Sequence, residues 1–122
     1  MTGSDGALHI TAAGSGLNLR GEIDAHSVKA LVGHLDPLPG STGDVVVDLS
    51  AVGFVDSSGL RVLVEAHQRA ASELRRLVLR GPSRPVLRLL EISGLMDYLH
   101  VETPMGDAGQ DTAAGTRGSD DG

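Results

Sequence analysis

The chain of 122 residues has a formal net charge of −6, and 40% of its residues are hydrophobic while only 2% are aromatic. This length fits one domain, and the shortage of rings means that its core must be built from Val, Leu, Ile and Ala. The absence of cysteine from the sequence excludes disulfides, thiolate metal sites and a cysteine nucleophile. No apolar run approaches the roughly 20 residues of a membrane span, and the first residues lack a secretory signal pattern. We therefore expect a soluble cytoplasmic protein.

The chain begins with two predicted strands, which a helix follows. Apolar and polar residues alternate in ALHITA (7–12) and again in LNLRGEI (17–23), which predicts a hairpin. The next segment carries apolar residues at helical spacing over 28–38. It predicts a helix that begins near residue 25, with Asp24 as its N-cap.

The middle of the sequence predicts the most strongly apolar strand and the longest helix. Three consecutive valines in DVVVDLS (44–50) predict a strand covered on both faces, as in a parallel sheet flanked by helices. A helix is predicted to follow, beginning near residue 57. Its inner face is predicted to consist of Leu60, Leu63, Val64, His67, Ala70, Ala71 and Leu74.

The last part of the domain predicts a strand, a helix and a short strand. RLVLRG (76–81) and DYLHV (97–101) have strand patterns, and SRPVLRLLEISG (83–94) predicts a helix beginning near residue 84. Pro85 suits the first turn of that helix and Gly94 its C-terminal end.

Strands that alternate with helices predict a single α/β domain, over residues 5–102, with a mixed, largely parallel sheet and flanking helices. Six apolar residues are predicted to be buried in it: Val45, Val47, Leu63, Leu77, Leu79 and Leu90.

The segment 103–122 differs in composition from the rest of the chain. It is rich in glycine and contains four Asp and one Arg, without periodic apolar residues. Such a segment cannot bury enough apolar surface to offset its chain entropy. We expect a disordered acidic tail that is dispensable for folding.

Known catalytic and cofactor motifs are missing from the sequence. Neither serine of FVDSSGL (54–60) lies in a G-x-S-x-G elbow, and neither a dinucleotide fingerprint nor a P-loop motif occurs. The histidines lack metal-ligand spacing, and His67 is interpreted as a packed histidine rather than a zinc ligand. We expect no enzymatic activity and no cofactor.

A cluster of arginines lies in RRLVLRGPSRPVLR (75–88), within an otherwise acidic chain. Aromatic residues are not interleaved with these arginines, and they would fall on a strand, a turn and a helix. The cluster is interpreted as a solvated or partner-facing surface rather than as a nucleic-acid site.

Asp56, Ser57 and Ser58 stand in a row at the start of the predicted second helix. Asp and Ser both cap helices by accepting hydrogen bonds from free amides. One helix needs only one cap, so this run leaves two interpretations. The serines serve as caps, or one of them carries an exposed hydroxyl with a further use.

Three blocks of the sequence resemble the STAS domain, in particular the small stand-alone anti-sigma factor antagonists. The blocks are LRGEIDAHS (19–27), VVVDLSAVGFVDSSGLRVLVEAHQRA (45–70) and SRPVLRLLEISGLMDYL (83–99). They stand in the order and spacing of the family. The resemblance implies binding to an anti-sigma factor, which then releases its sigma factor. In this family the anti-sigma factor is often also a serine kinase, and a phosphatase restores the active form of the antagonist.

The resemblance makes Ser57 the phosphorylated residue, with Ser58 as the second candidate. It implies that Gly59 lets a partner approach closely. The partner-binding residues that it implies are Asp24, Asp56, Ser57, Ser58, Gly59, Leu60 and Arg61. Arg61 departs from the family, since many relatives carry a small residue at this position.

A second function is consistent with the same resemblance. STAS domains also serve as non-catalytic scaffold subunits in signalling assemblies or with transporters. Such versions often carry a further domain or a membrane span, and neither is expected in this sequence. The antagonist function is therefore the main prediction and the scaffold function the alternative.

Overall fold

A computed structural model describes residues 8–103 of the chain. Its strands are β1 (Leu8–Ala13), β2 (Gly16–Ile23), β3 (Val45–Val55), β4 (Leu77–Arg80) and β5 (His100–Glu102). Its helices are α1 (Val28–Leu35), α2 (Ser57–Ser72) and α3 (Arg84–Ile92). The order of elements predicted from the sequence is confirmed.

The strands of the described residues form one five-stranded sheet in the order β1-β2-β3-β4-β5. β1 and β2 pair antiparallel, as the predicted hairpin requires, and the other three neighbouring pairs are parallel. The predicted mixed, largely parallel sheet is confirmed. Because β2 and β3 are parallel neighbours with Ile23 paired to Val55, the segments that follow these two strands lie side by side.

One hydrophobic core joins β2, β3 and β4 to all three helices. The six residues predicted to be buried are at most 1% exposed: Val45, Val47, Leu63, Leu77, Leu79 and Leu90. Burial of this many aliphatic side chains supplies the main stabilising term of the fold.

Within residues 8–103, β3 is covered on one face only, contrary to the expectation from its valines. Val45 and Val47 are buried, whereas Val46 and Asp48 are half-buried and Ser50 is exposed. Successive residues of a strand point to opposite faces, so the polar residues at alternate positions identify the open face. The helices cover the other face. β3 also continues to Val55, five residues beyond its predicted end.

α2 ends earlier than its apolar spacing predicts. Ala71 is exposed, and Leu74, predicted to lie on the inner face, lies beyond the helix and is 96% exposed. Leu74 has a φ of 59°, the left-handed conformation that commonly terminates helices. The Arg75 N–H donates to the Ala70 carbonyl at 2.8 Å and closes the helix end.

The other boundaries differ from prediction by a few residues. α1 begins at Val28 rather than near residue 25, after a turn over residues 25–27. β5 begins at His100, because residues 97 and 98 of the predicted strand belong to a turn. The expected acidic tail lies outside the described residues from position 104 onward.

His67 on α2 packs against two rings from the C-terminal part of the domain. Its ring centroid lies 4.9 Å from that of Tyr98 and 5.4 Å from that of His100. The buried Nδ1 atom of His67 finds no hydrogen-bond partner within residues 8–103. Burial, and secondly the charge of His100, lower the pKa of His67. His67 therefore stays neutral at pH values where an exposed histidine is already protonated.

We expect the free energy of unfolding to fall when the pH is lowered through about 6.5, the ordinary histidine pKa. The unfolded chain then takes up a proton that the folded protein resists at His67, so acid favours unfolding. Urea midpoints at pH 7.5 and 5.5 measure the loss. His67→Leu should reduce this loss of stability. His9→Gln, which replaces an exposed histidine of β1, should show the same loss as the wild type. Equal losses in the wild type and His67→Leu would contradict this account.

Candidate functional site

The segments that follow β2 and β3, which contain Asp24 and Asp56, lie side by side at the C-terminal ends of these two strands. The Asp56 N–H donates to the Ile23 carbonyl at 3.0 Å, which joins the residue after β3 to the last residue of β2. The backbone N–H of Ala25 also contributes to lowering the pKa of Asp56. Asp24 and Asp56, which lie far apart in the sequence, therefore lie on adjacent segments.

Asp56 is the N-cap of α2, as its position before the helix predicts. Its Oδ1 accepts the N–H of Ser58 at 2.9 Å and that of Gly59 at 3.1 Å. The same oxygen accepts the Ser58 hydroxyl at 2.6 Å. These hydrogen bonds, first the one from the Ser58 hydroxyl, lower the pKa of Asp56. The carboxylate is thus ionised at neutral pH and committed to the first turn of the helix.

The two serines of this turn have different surroundings. Ser58 is half-buried, and its hydroxyl is engaged by Asp56. Ser57 is exposed as the first residue of α2, and no hydrogen bond of its hydroxyl is found within residues 8–103. Ser58 therefore has a structural role, whereas the Ser57 hydroxyl is free to meet a partner or to react.

Asp24 organises the turn that leads into α1. Its Oδ1 accepts the N–H groups of His26 and Ser27, both at 2.9 Å, and the Ser27 hydroxyl oxygen accepts the Asp24 N–H at 3.0 Å. This reciprocal pattern is that of a capping box. The bond from the Ser27 N–H is the largest cause of the lowered pKa of Asp24, which the charge of Asp56 opposes.

The prediction that Asp24 is the N-cap of α1 is wrong by three residues. The N-cap of α1 is Ser27, whose side chain makes no capping bond to the helix, and Asp24 caps the turn before it. Ser27 itself was missed by the sequence analysis, although it is the one polar side chain of the described residues found buried, at 9% exposure. The three-residue spacing from Asp24 to Ser27 was the available signal, since it is the spacing of a capping box.

Gly59 is needed for packing inside the domain. A Cβ atom at this position would lie 2.7 Å from Ile23 Cγ2 and 2.8 Å from Val55 Cγ1, closer than Cβ atoms in folded proteins come to non-bonded carbon atoms. The first turn of α2 therefore rests directly on the ends of β2 and β3. The small size of this glycine thus serves the protein's own packing, and the close approach of a partner at Gly59 stays a prediction.

Leu60 ends the first turn of α2, and Arg61 begins the second. Leu60 is half-buried and packs against the core. Arg61 is exposed, and its Nε lies 3.8 Å from Glu65 Oε2. The site thus presents two exposed side chains, Ser57 and Arg61, above a layer of half-buried residues that includes both acidic caps.

We expect the protein to lose stability as the pH is lowered below about 4, the ordinary pKa of aspartate. Both Asp24 and Asp56 have a lowered pKa in the folded state, so the unfolded chain takes up protons first and acid favours it. Urea midpoints at pH 6.0 and 3.0 measure the loss. Asp56→Asn should reduce it, because an amide still caps the helix without titrating. Asp97→Asn, which replaces an exposed carboxyl group, should lose as much stability as the wild type over this pH range. An undiminished loss in Asp56→Asn would show that these hydrogen bonds do not control the acid response.

Two further observations concern residues 8–103. In this part of the chain no group of three or more His, Cys, Asp or Glu side chains is arranged to hold a metal ion. None of its helices is long and apolar enough to cross a bilayer.

Comparison with known proteins places this architecture among characterised relatives. The family model described as "Mlab, STAS domain" matches residues 7–102. An anti-sigma-B factor antagonist of Listeria monocytogenes is 35% identical over 88 residues, covering 71% of this chain and 77% of that protein.

Solved structures show the same fold. An anti-sigma factor antagonist from Mycobacterium paratuberculosis superposes with a TM-score of 0.61 at 25% identity, covering 82% of this chain and 87% of that one. The anti-sigma factor antagonist SpoIIAA in its unphosphorylated form has a TM-score of 0.61 at 20% identity, covering 82% of this chain and 91% of that one. Its phosphorylated form has a TM-score of 0.58 at 19% identity, covering 82% and 95%. The SpoIIAA comparisons establish likeness of fold alone.

Proposed function

Since the chain belongs to the STAS domain family, we propose that it is an anti-sigma factor antagonist regulated at Ser57. It binds an anti-sigma factor, which then releases its sigma factor. A partner with serine kinase activity phosphorylates Ser57 and ends the interaction, and a serine phosphatase reverses the modification. The observation that carries this proposal is the exposed side chain of Ser57, whose hydroxyl makes no hydrogen bond found within residues 8–103 and which directly follows the ionised Asp56.

The geometry favours Ser57 over Ser58 as the phosphorylated residue. In the reaction the serine oxygen attacks the γ-phosphorus of ATP held by the kinase, ADP leaves, and the hydroxyl proton passes to a base of the kinase. Ser57 presents its oxygen at the surface. Ser58 would first have to give up its 2.6 Å bond to Asp56, which also supports the helix cap.

A phosphate on Ser57 changes the charge of the surface while preserving the fold. It adds about −1.5 to −2 charges at neutral pH, and the start of a helix tolerates negative charge because of the helix dipole. Asp24 and Asp56 are already ionised there. At a partner surface shaped for a neutral hydroxyl, this negative charge would be desolvated without a positive partner, or would face like charge, and either costs several kcal/mol across an interface.

The residues of the site have two roles: some contact the partner directly, and others form the edge of the contact surface. Ser57 and Arg61 are the exposed residues and make the direct contacts with the anti-sigma factor. Asp24, Asp56 and Leu60 are half-buried and form the edge of the contact surface.

The experiment is a binding and displacement assay with purified candidate anti-sigma factors that carry a kinase domain. The wild type should bind one of them without ATP and displace its sigma factor, and it should lose both abilities after incubation with ATP and Mg²⁺. Ser57→Ala should keep both in the presence of ATP.

A matched control is Ser72→Ala, at an exposed serine of the last turn of α2. It should behave as the wild type. Binding that persists in the wild type after incubation with ATP by an active kinase would favour a scaffold function instead.

A further inference from the structure

Arg61 lies one helical turn after Ser57. Ser57 is the first residue of α2, and residues four positions apart on a helix are neighbours with Cβ atoms about 5–6 Å apart. The side chain of Arg61 is 78% exposed. Within residues 8–103 its one ion pair is with Glu65, so its guanidinium can turn toward either neighbouring turn of the helix.

The present partner of Arg61 is weakly held. Its Nε lies 3.8 Å from Glu65 Oε2, and the Glu65 side chain is 63% exposed. Exposed pairs at such distances contribute little, because water screens them and both side chains must be ordered. The order of charges is also the less favourable one, since an acid four residues after a base opposes the helix dipole.

A phosphate on Ser57 would be a stronger acceptor in the better position. It carries up to two charges and three acceptor oxygens, and the planar guanidinium of arginine can donate two parallel bonds to it. It would also stand four residues before the arginine, the favourable order. The Asp56 carboxylate does not compete for Arg61 in the same way, because its Oδ1 already accepts three bonds from the first turn.

We propose that Arg61 binds the phosphate of phosphorylated Ser57 and that its ion pair with Glu65 breaks when it does so. This inference rests on the proposed function, in which Ser57 is the modified residue. The exchange fixes the phosphate against the first turn of α2 and stabilises its dianionic form. The phosphate also neutralises the positive charge of Arg61, which is then no longer available to the anti-sigma factor. Phosphorylation therefore alters two contacts at once, that of Ser57 and that of Arg61.

The test uses protein with phosphoserine inserted at position 57 during translation, so that no kinase is needed. Phosphorus NMR gives the midpoint of the second ionisation of the phosphate. In Arg61→Gln this midpoint should rise by about 0.15–0.4 pH units relative to the wild type, the shift that corresponds to one ion pair of this spacing. In Glu65→Gln it should fall, because the guanidinium has lost its competing carboxylate.

Arg69→Gln is the matched control, since Arg69 lies on the same helix but binds Asp36 at 3.0 Å. Its midpoint should equal that of the wild type. Equal midpoints in the wild type and Arg61→Gln would overturn the inference. Binding of the same phosphorylated protein to the anti-sigma factor is measured in parallel. Tight binding there would refute the proposed switch, while the titration would still decide the role of Arg61.

Discussion

Ser57→Asp should weaken binding to the anti-sigma factor by about 100-fold or more. A negative charge placed in an interface that offers it no positive partner costs several kcal/mol, and about 1.4 kcal/mol corresponds to a factor of ten in affinity. The variant should fold normally, because a carboxylate is favourable at a helix start. Titration calorimetry with the purified partner measures the affinity, and circular dichroism confirms the fold.

Ser57→Asn is the control that separates charge from size. Its side chain has nearly the volume of aspartate without the charge, so it should retain most of the affinity. Ser57→Ala should fold as the wild type does, because the Ser57 hydroxyl supports no contact found within residues 8–103. It should still bind the partner, because alanine is small and adds no charge to the contact surface. Equal weakening in the Asp and Asn variants would show that the partner excludes bulk at this position rather than negative charge.

Gly59→Ala should lower the free energy of unfolding by about 1–3 kcal/mol, the usual cost of an added methyl group in a packed interior. Alanine is the better helix former. However, its Cβ would meet Ile23 Cγ2 at 2.7 Å and Val55 Cγ1 at 2.8 Å. Both neighbours are β-branched side chains with little rotamer freedom, so the helix itself must shift.

Gly53→Ala on β3 is the matched control, because a Cβ there would meet no atom of the described residues within 4 Å. Its stability should stay within about 0.5 kcal/mol of the wild type, as for most surface substitutions. Urea denaturation measures both variants. Equal effects at the two positions would contradict the close packing of α2 on the ends of β2 and β3.

The sequence predicts the order of elements well because each carries its own local periodicity. Alternation identifies β1 and β2, and the helical stripe identifies α2. The end of α2 is not a local property. Arg75, just beyond it, donates from Nε to the Gly43 carbonyl at 2.9 Å and from a terminal nitrogen to the Gly40 carbonyl at 3.3 Å. These contacts with a distant loop fix the chain beyond Ser72, and no pattern within the helix encodes them.

The candidate site likewise has features that the sequence predicts and features that only the structure reveals. The capping role of Asp56 could be predicted, because residue type and position determine it. The sequence does not show which serine is free, because that depends on the direction of two adjacent hydroxyls. The structure separates them: Ser58 donates to Asp56 at 2.6 Å, and Ser57 is exposed. The packing role of Gly59 was also hidden, since it depends on how α2 rests on two strands.

Localising the phosphate tests the central proposal most directly. The protein is incubated with its anti-sigma factor and ATP, separated from the complex, digested and sequenced by tandem mass spectrometry. The exposed hydroxyl predicts one phosphate, on Ser57, in the fraction that no longer binds the partner. A phosphate found on Ser58 in that fraction, or a released fraction that carries none at Ser57, would contradict the switch.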